Sequence, residues 1–316
     1  MRHTLLAVIG GGVVVLALGC GAPSQYVAPR TACGDPDLQG QWNSQTSTPL
    51  ERPQTGALAN REAVSEEEAE ALEAQHLANG DRPPAAGDPG TYNSFWFDRG
   101  KRLTRTSLII DPPDGRVPAY TPDAERRLAL ERTARAARGP ADSYADLPLW
   151  TRCITRGWNG IGSNYSSNTQ IFQSPGYVVV LQELIHEARI IPLDSPTGSG
   201  PNGLPPGVTQ WLGASRGRWD GDTLVVETRS FDPRASYRGS SPALVLIERY
   251  TRTSADEIDY LFTMQDPSTY VKEWTVGRPM RLEPADITIF EYACHEGNTA
   301  MEGILSGARL GDGADR

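Results

Sequence analysis

An antiparallel β-meander curling into a barrel, with two helices on its outside, is the fold this sequence predicts. Short β-branched and aromatic runs recur through the second half of the chain, and Gly, Pro, Asp and Asn punctuate them. No stretch between them is long enough for the helical crossovers that parallel strands require. About eight such strands close a barrel whose interior is either filled or ligand-sized.

The first helix, near 65–79, opens on Ser65-Glu66-Glu67-Glu68. This is a capping box, in which Ser65 accepts from the Glu68 N–H while Glu68 reaches back. Its acids suit the positive helix end, and Asn79-Gly80 ahead of Pro83-Pro84 stops it. His76 falls in the last turn and reads as structural. LTRTSLIID, a turn at Pro112-Pro113-Asp114-Gly115 and RVPAY then form a hairpin pattern. The second helix, near 122–138, takes Thr121 as its cap and Pro122 as its first residue. Both helices carry few large apolar side chains, so they decorate the core rather than build it.

From residue 168 the strand candidates are TQIFQ, YVVVLQEL, ARIIPL, TLVVETRSF, LVLIERYTR, EIDYLFTM, TYVKEWTV and ITIFEYAC. Trp219-Asp220-Gly221-Asp222 makes a tight turn between RGRW and TLVV.

Arg2 and the apolar run Leu5–Leu18 read as a secretory signal over residues 1–19. The run is shorter than the roughly 20 residues of a membrane span. Ala17-Leu18-Gly19-Cys20 resembles a bacterial lipobox, which implies cleavage before Cys20, lipidation of Cys20 and a membrane anchor. Ordinary secretion with a buried Cys20 is the alternative. Gly21, where Asp would signal retention, implies by the same resemblance the periplasmic face of the outer membrane or the cell surface. Residues 20–37 then form a tether, 38–309 a single β-rich domain, and 310–316 a disordered tail.

The formal net charge of −9 becomes −10 once Arg2 leaves with the signal. Nucleic-acid binding depends on cations neutralising phosphates, so an acidic chain excludes it as a main function. Beyond Cys20 the cysteines are Cys33, Cys153 and Cys294. An odd count outside the cytoplasm gives one bridge and a free thiol, or no bridge. All three pairings are open, and the aromatic-flanked segments WTRCITRGW and FEYACHEGN favour Cys153 with Cys294. No two cysteines have the short spacing of a zinc site. No phosphate loop or Rossmann fingerprint is present, so neither metal nor cofactor is expected.

Gly40-Gln41-Trp42 resembles the Gly-x-Trp that opens the first strand of lipocalins, which implies a calycin-like barrel holding a small apolar ligand. A longer resemblance, over about residues 38–309, is to secreted bacterial proteins that carry RGRWDGDTLVVET, EYACHEGN and LSGAR. It implies export and no particular activity.

Gly213-Ala214-Ser215-Arg216-Gly217 matches the Gly-x-Ser-x-Gly of serine hydrolases, but a strand follows it where a nucleophile elbow needs a helix. Asp220 and Asp222 belong to a hairpin turn. The remaining candidates are two His-Glu pairs, His186-Glu187 and His295-Glu296, among only four histidines. His186 lies between two strand candidates, at a hairpin tip or bulge, and His295 at a strand end. Both therefore fall where a barrel carries its openings.

A histidine with a carboxylate partner (Glu183, Glu187 or Glu296) shuttles protons near neutral pH. Arg152, Arg189, Arg216 and Arg218 supply bidentate donors for an acidic substrate. Trp150, Trp158, Trp211 and Trp219 supply faces for a sugar ring. Two functions fit: a lipid-anchored barrel that binds a small apolar or amphipathic ligand, or an extracytoplasmic carbohydrate lyase or hydrolase using His186 and His295. The lining of the cavity separates them.

Overall fold

The structure, a computed structural model, describes residues 26–83, 94–96, 98, 100–139, 141–158, 165–194, 204–205 and 207–314. Residues 1–19, which read as a secretory signal, and Cys20 lie outside the described residues.

The first half supplies β1 (Gly40–Asn43), helix α1 (Glu66–Gly80), β2 (Ile109–Asp111) and helix α2 (Pro122–Ala136). A meander follows, of β3 (Asn168–Ser174), β4 (Tyr177–Gln182) and β5 (Ala188–Pro192). A second meander holds β6 (Ala214–Asp220), β7 (Thr223–Arg229), β8 (Val245–Arg252) and β9 (Glu257–Gln265). Then come β10 (Trp274–Gly277), β11 (Met280–Leu282) and helix α3 (Ala300–Ala314).

The strands form one antiparallel sheet in the order β5-β4-β3-β1-β11-β9-β8-β7-β6, with β10 joining β9 to β2. The sheet curls until β5 and β6 meet at a seam, closing it nearly into a barrel consistent with the calycin-like shape. The seam is held by an isolated parallel bridge between Leu193 and Gly217, with the Asp194 N–H donating to the Gly217 carbonyl at 2.8 Å. A Cβ on Gly217 would meet the Leu193 side chain at 2.9 Å and Ile191 at 3.1 Å, so a larger residue there would displace those side chains.

Period-two alternation points one face of each strand inward. Leu224 and Val226 of β7, Leu246 of β8, and Ile258, Phe262 and Met264 of β9 are all buried in one cluster. Trp42 of β1 is fully buried; its Nε1–H donates to the Leu38 carbonyl, and the Arg252 guanidinium lies 5.4 Å from its ring centre. The interior is therefore a packed core.

A charged cluster sits inside it. The Glu248 carboxylate accepts from both Arg189 terminal nitrogens, at 2.6 and 2.8 Å, and from the Tyr250 and Tyr260 hydroxyls at 2.9 and 2.8 Å. Burial first, then the Glu248 charge, pushes both phenols well above the ordinary tyrosine range, so each keeps the proton it donates.

Several sequence expectations need correction. ITIFEYAC is not a strand: residues 287–294 form no ladder, and Ile287 and Phe290 are exposed. The preceding strand, β11, already has β1 and β9 on its two sides, so this run cannot extend the meander beside it. LTRTSLIID and RVPAY do not pair with each other. The turn forms, with the Gly115 N–H donating to the Pro112 carbonyl, but β2 pairs with β10 and Tyr120 bridges to Tyr270.

Ser65 caps α1 as expected, at 3.1 Å from the Glu68 nitrogen, but the Glu68 carboxylate is held by Arg61 rather than reaching back. The helix α3 was not foreseen, and it runs through the start of the stretch read as a disordered tail.

Removing one partner of a buried pair strands the other charge, so Glu248→Ala should lower stability by about 3–5 kcal/mol in urea denaturation. Replacing both, Arg189→Met with Glu248→Leu, should recover only part of that loss, since the buried Tyr250 and Tyr260 hydroxyls still lose their acceptor.

Candidate ligand-binding site

A cleft of about 800 Å3 lies along β5 and the start of β6. Glu187, Arg189 and Ile190 form one wall and Leu212 and Ser215 the other, with Trp211 and Arg234 at the rim. Asp232, capping the short turn Pro233–Ala235, grips Arg234 at 2.7 and 2.9 Å. That grip fixes the Arg234 guanidinium 4.4 Å from the Trp211 ring centre. It also holds the Asp232 carboxyl below its ordinary range, chiefly through the Arg234 hydrogen bonds.

Glu187 stands at the junction of the cleft and a neighbouring loop. Its Oε2 accepts from the Thr155 hydroxyl at 2.9 Å and the Arg156 N–H at 3.0 Å. Burial nevertheless wins over these bonds and pushes its carboxyl up. Glu183, buried beside Asn168, is raised by the same cause.

The two histidines lie at this end of the molecule. Leu184–His186 is a 3-10 turn linking β4 to β5, with Ile185 and His186 at φ 58° and 43°, which is the hairpin tip the sequence implied. The His186 Nδ1–H donates to the Tyr292 carbonyl at 3.0 Å. His295 borders a separate recess of about 340 Å3 with Tyr144, Arg152 and Asn298. What brings the 290s here is the disulfide Cys153–Cys294, the pairing favoured from sequence; Cys33 is free and exposed. The imidazoles thus share a region without lining one cavity, and Glu296 is exposed beside them.

The other predicted residues scatter. Arg189 is consumed by Glu248 inside the barrel, and Arg216 on β6 pairs with Asp194 at 2.9 Å. Arg218 is exposed on the outer face of the same strand. Trp158 is buried in the core and Trp219 packs against it, so neither offers a free face. Trp150 is half exposed, with the Arg156 guanidinium over it. Ser215 spends its hydroxyl on Thr228 across the β6–β7 pair, 2.9 Å away.

Asp232 and Arg234 were missed, because a Pro-containing turn between strands carries no signal for what it will face. Among the described residues no three His, Cys, Asp or Glu side chains gather as metal ligands. Comparison with protein-family models, curated proteins and solved structures found no match to the chain.

Two outcomes follow from this geometry. The bridge spans 141 residues, so replacing Cys153 and Cys294 by Ala should cost about 2–5 kcal/mol and raise amide exchange across residues 287–305. A carboxyl raised on folding contributes fully below the ordinary Glu value and loses stability as pH climbs to the raised one. Glu187→Gln, which cannot ionise, should therefore gain stability relative to the natural chain across that window in urea melts.

Proposed function

We propose that this chain is an exported β-barrel protein, anchored through lipid on Cys20 at the outer membrane or cell surface, that binds a small amphipathic ligand. The observation that carries the reading is the seam cleft. Buried side chains pack the described interior, whereas the cleft along β5 and β6 combines apolar walls, Ile190 and Leu212, with the Arg234–Trp211 stack. Such a lining takes up an apolar body while polar groups at the rim fix its orientation. The leader sequence and the extracytoplasmic disulfide chemistry support the location.

A second reading, a carbohydrate lyase or hydrolase, is favoured by one feature. Glu187 borders the cleft with its carboxyl pushed up by burial, a property of general acids. In that case Glu187, rather than His186 or His295, carries the proton.

Titration with anilinonaphthalene sulfonate, an amphipathic anion, tests the binding reading. Saturable fluorescence enhancement is expected, weakened about tenfold or more by Trp211→Ala and unchanged by His295→Ala. Binding indifferent to Trp211→Ala sinks the seam as the site.

A further inference from the structure

Three arginine–aromatic stacks stand in series at this end of the barrel. The Arg234 guanidinium lies 4.4 Å from the Trp211 ring centre, Arg156 4.7 Å from Trp150, and Arg152 5.1 Å from Tyr144. Each stack lines a recess, and the recesses adjoin. Arg234 borders both the seam cleft and a middle recess of about 440 Å3 that holds Trp150 and Arg156. The loop 149–156 walls that middle recess on one side and the Tyr144–Arg152 recess on the other. Glu187 ties the cleft to this loop through Thr155 and the Arg156 backbone.

The charges along this path are uneven. Arg234 is neutralised by Asp232. The Arg152 and Arg156 guanidiniums make no hydrogen bond or ion pair among the described residues, although the chain carries a net charge of −9. Stacking keeps each guanidinium flat and partly desolvated, which leaves its fork of N–H groups ready for a planar anion. The rings stay accessible as well: Trp150 is 48 % and Tyr144 60 % exposed.

We propose that the three stacks are successive subsites for a linear acidic oligosaccharide of the uronic-acid type. Its sugar faces lie against Trp211, Trp150 and Tyr144, and its carboxylates on Arg156 and Arg152. This rests on the seam cleft as the ligand site and extends it along the loop. Pyranose rings present apolar C–H faces that suit aromatic platforms, and a carboxylate matches the guanidinium fork in two parallel hydrogen bonds. A single-stranded nucleic acid also stacks on aromatic rings. It needs a row of cations along its backbone, and here two uncompensated arginines stand in an acidic protein.

The test is isothermal titration calorimetry of the purified protein with an oligogalacturonate, its methyl-esterified counterpart, an oligonucleotide and inorganic phosphate. The acidic oligomer should bind saturably, and the ester about tenfold or more weaker, since it keeps the rings and loses the charge-assisted bonds. Arg152→Ala, Arg156→Ala and Trp150→Ala should each weaken the acidic oligomer about tenfold, the two arginine variants also flattening its salt dependence. Urea midpoints are measured alongside, and Arg→Lys exchanges replace any alanine variant that unfolds early.

Equal binding of the ester, tighter binding of the oligonucleotide, full competition by phosphate, or no binding of the acidic oligomer overturns the proposal. If the dye still binds at Trp211 while the oligomer fails, only this extension falls. Loss of both removes the seam reading too.

Discussion

A carboxylate with no water around it sets the terms for this barrel. Glu248 is wholly buried, and an ion in that position survives only where every lone pair has a donor. Arg189 supplies two of them from β5, and Tyr250 and Tyr260 supply the others from β8 and β9. The pairing reaches across the interior, because β5 and β8 stand at separate places in the sheet order. It thereby fixes the depth at which β5 rides against the rest of the sheet. The position of Glu187, the tip at His186 and the width of the seam all follow from that depth.

The seam is where a packed interior and an open site become compatible. Trp42, Phe262, Trp274 and their neighbours pack the described interior of the barrel. The place left is the line where strands approach without a ladder. There residues from outside the sheet, Trp211, Asp232 and Arg234, join those of β5 and β6 in lining the cleft. The loop clamped by Cys153–Cys294 continues that rim, so the bridge shapes the surface next to the cleft as well as tying down the chain end.

What the sequence made legible was local. The β6–β7 hairpin follows from Gly221-Asp222 between alternating runs, and its register pairs Asp220 with Thr223 as a two-residue loop requires. Ser65 and Thr121 announce their helices because a cap acts on residues three positions away. The run 287–293 has strand composition and no strand, since pairing depends on a vacant edge and not on composition alone. In the sequence Arg189 reads as a substrate donor, because its partner lies 59 residues onward, beyond any periodic signal. The convergence of Arg234 with Trp211, and of Arg156 with Trp150, depends likewise on how turns fold back. The disulfide was readable only as a preference among three pairings.

The junction of β5 and β6 also gives the cylinder a mechanical character. Elsewhere neighbouring strands share ladders of two to eight residue pairs, whereas among the described residues this line is joined by one bridge at Leu193 and Gly217. A hoop with one thin weld behaves as a split ring: strain applied anywhere on its circumference concentrates at the split. Widening or narrowing of the whole wall is therefore felt first where the cleft lies.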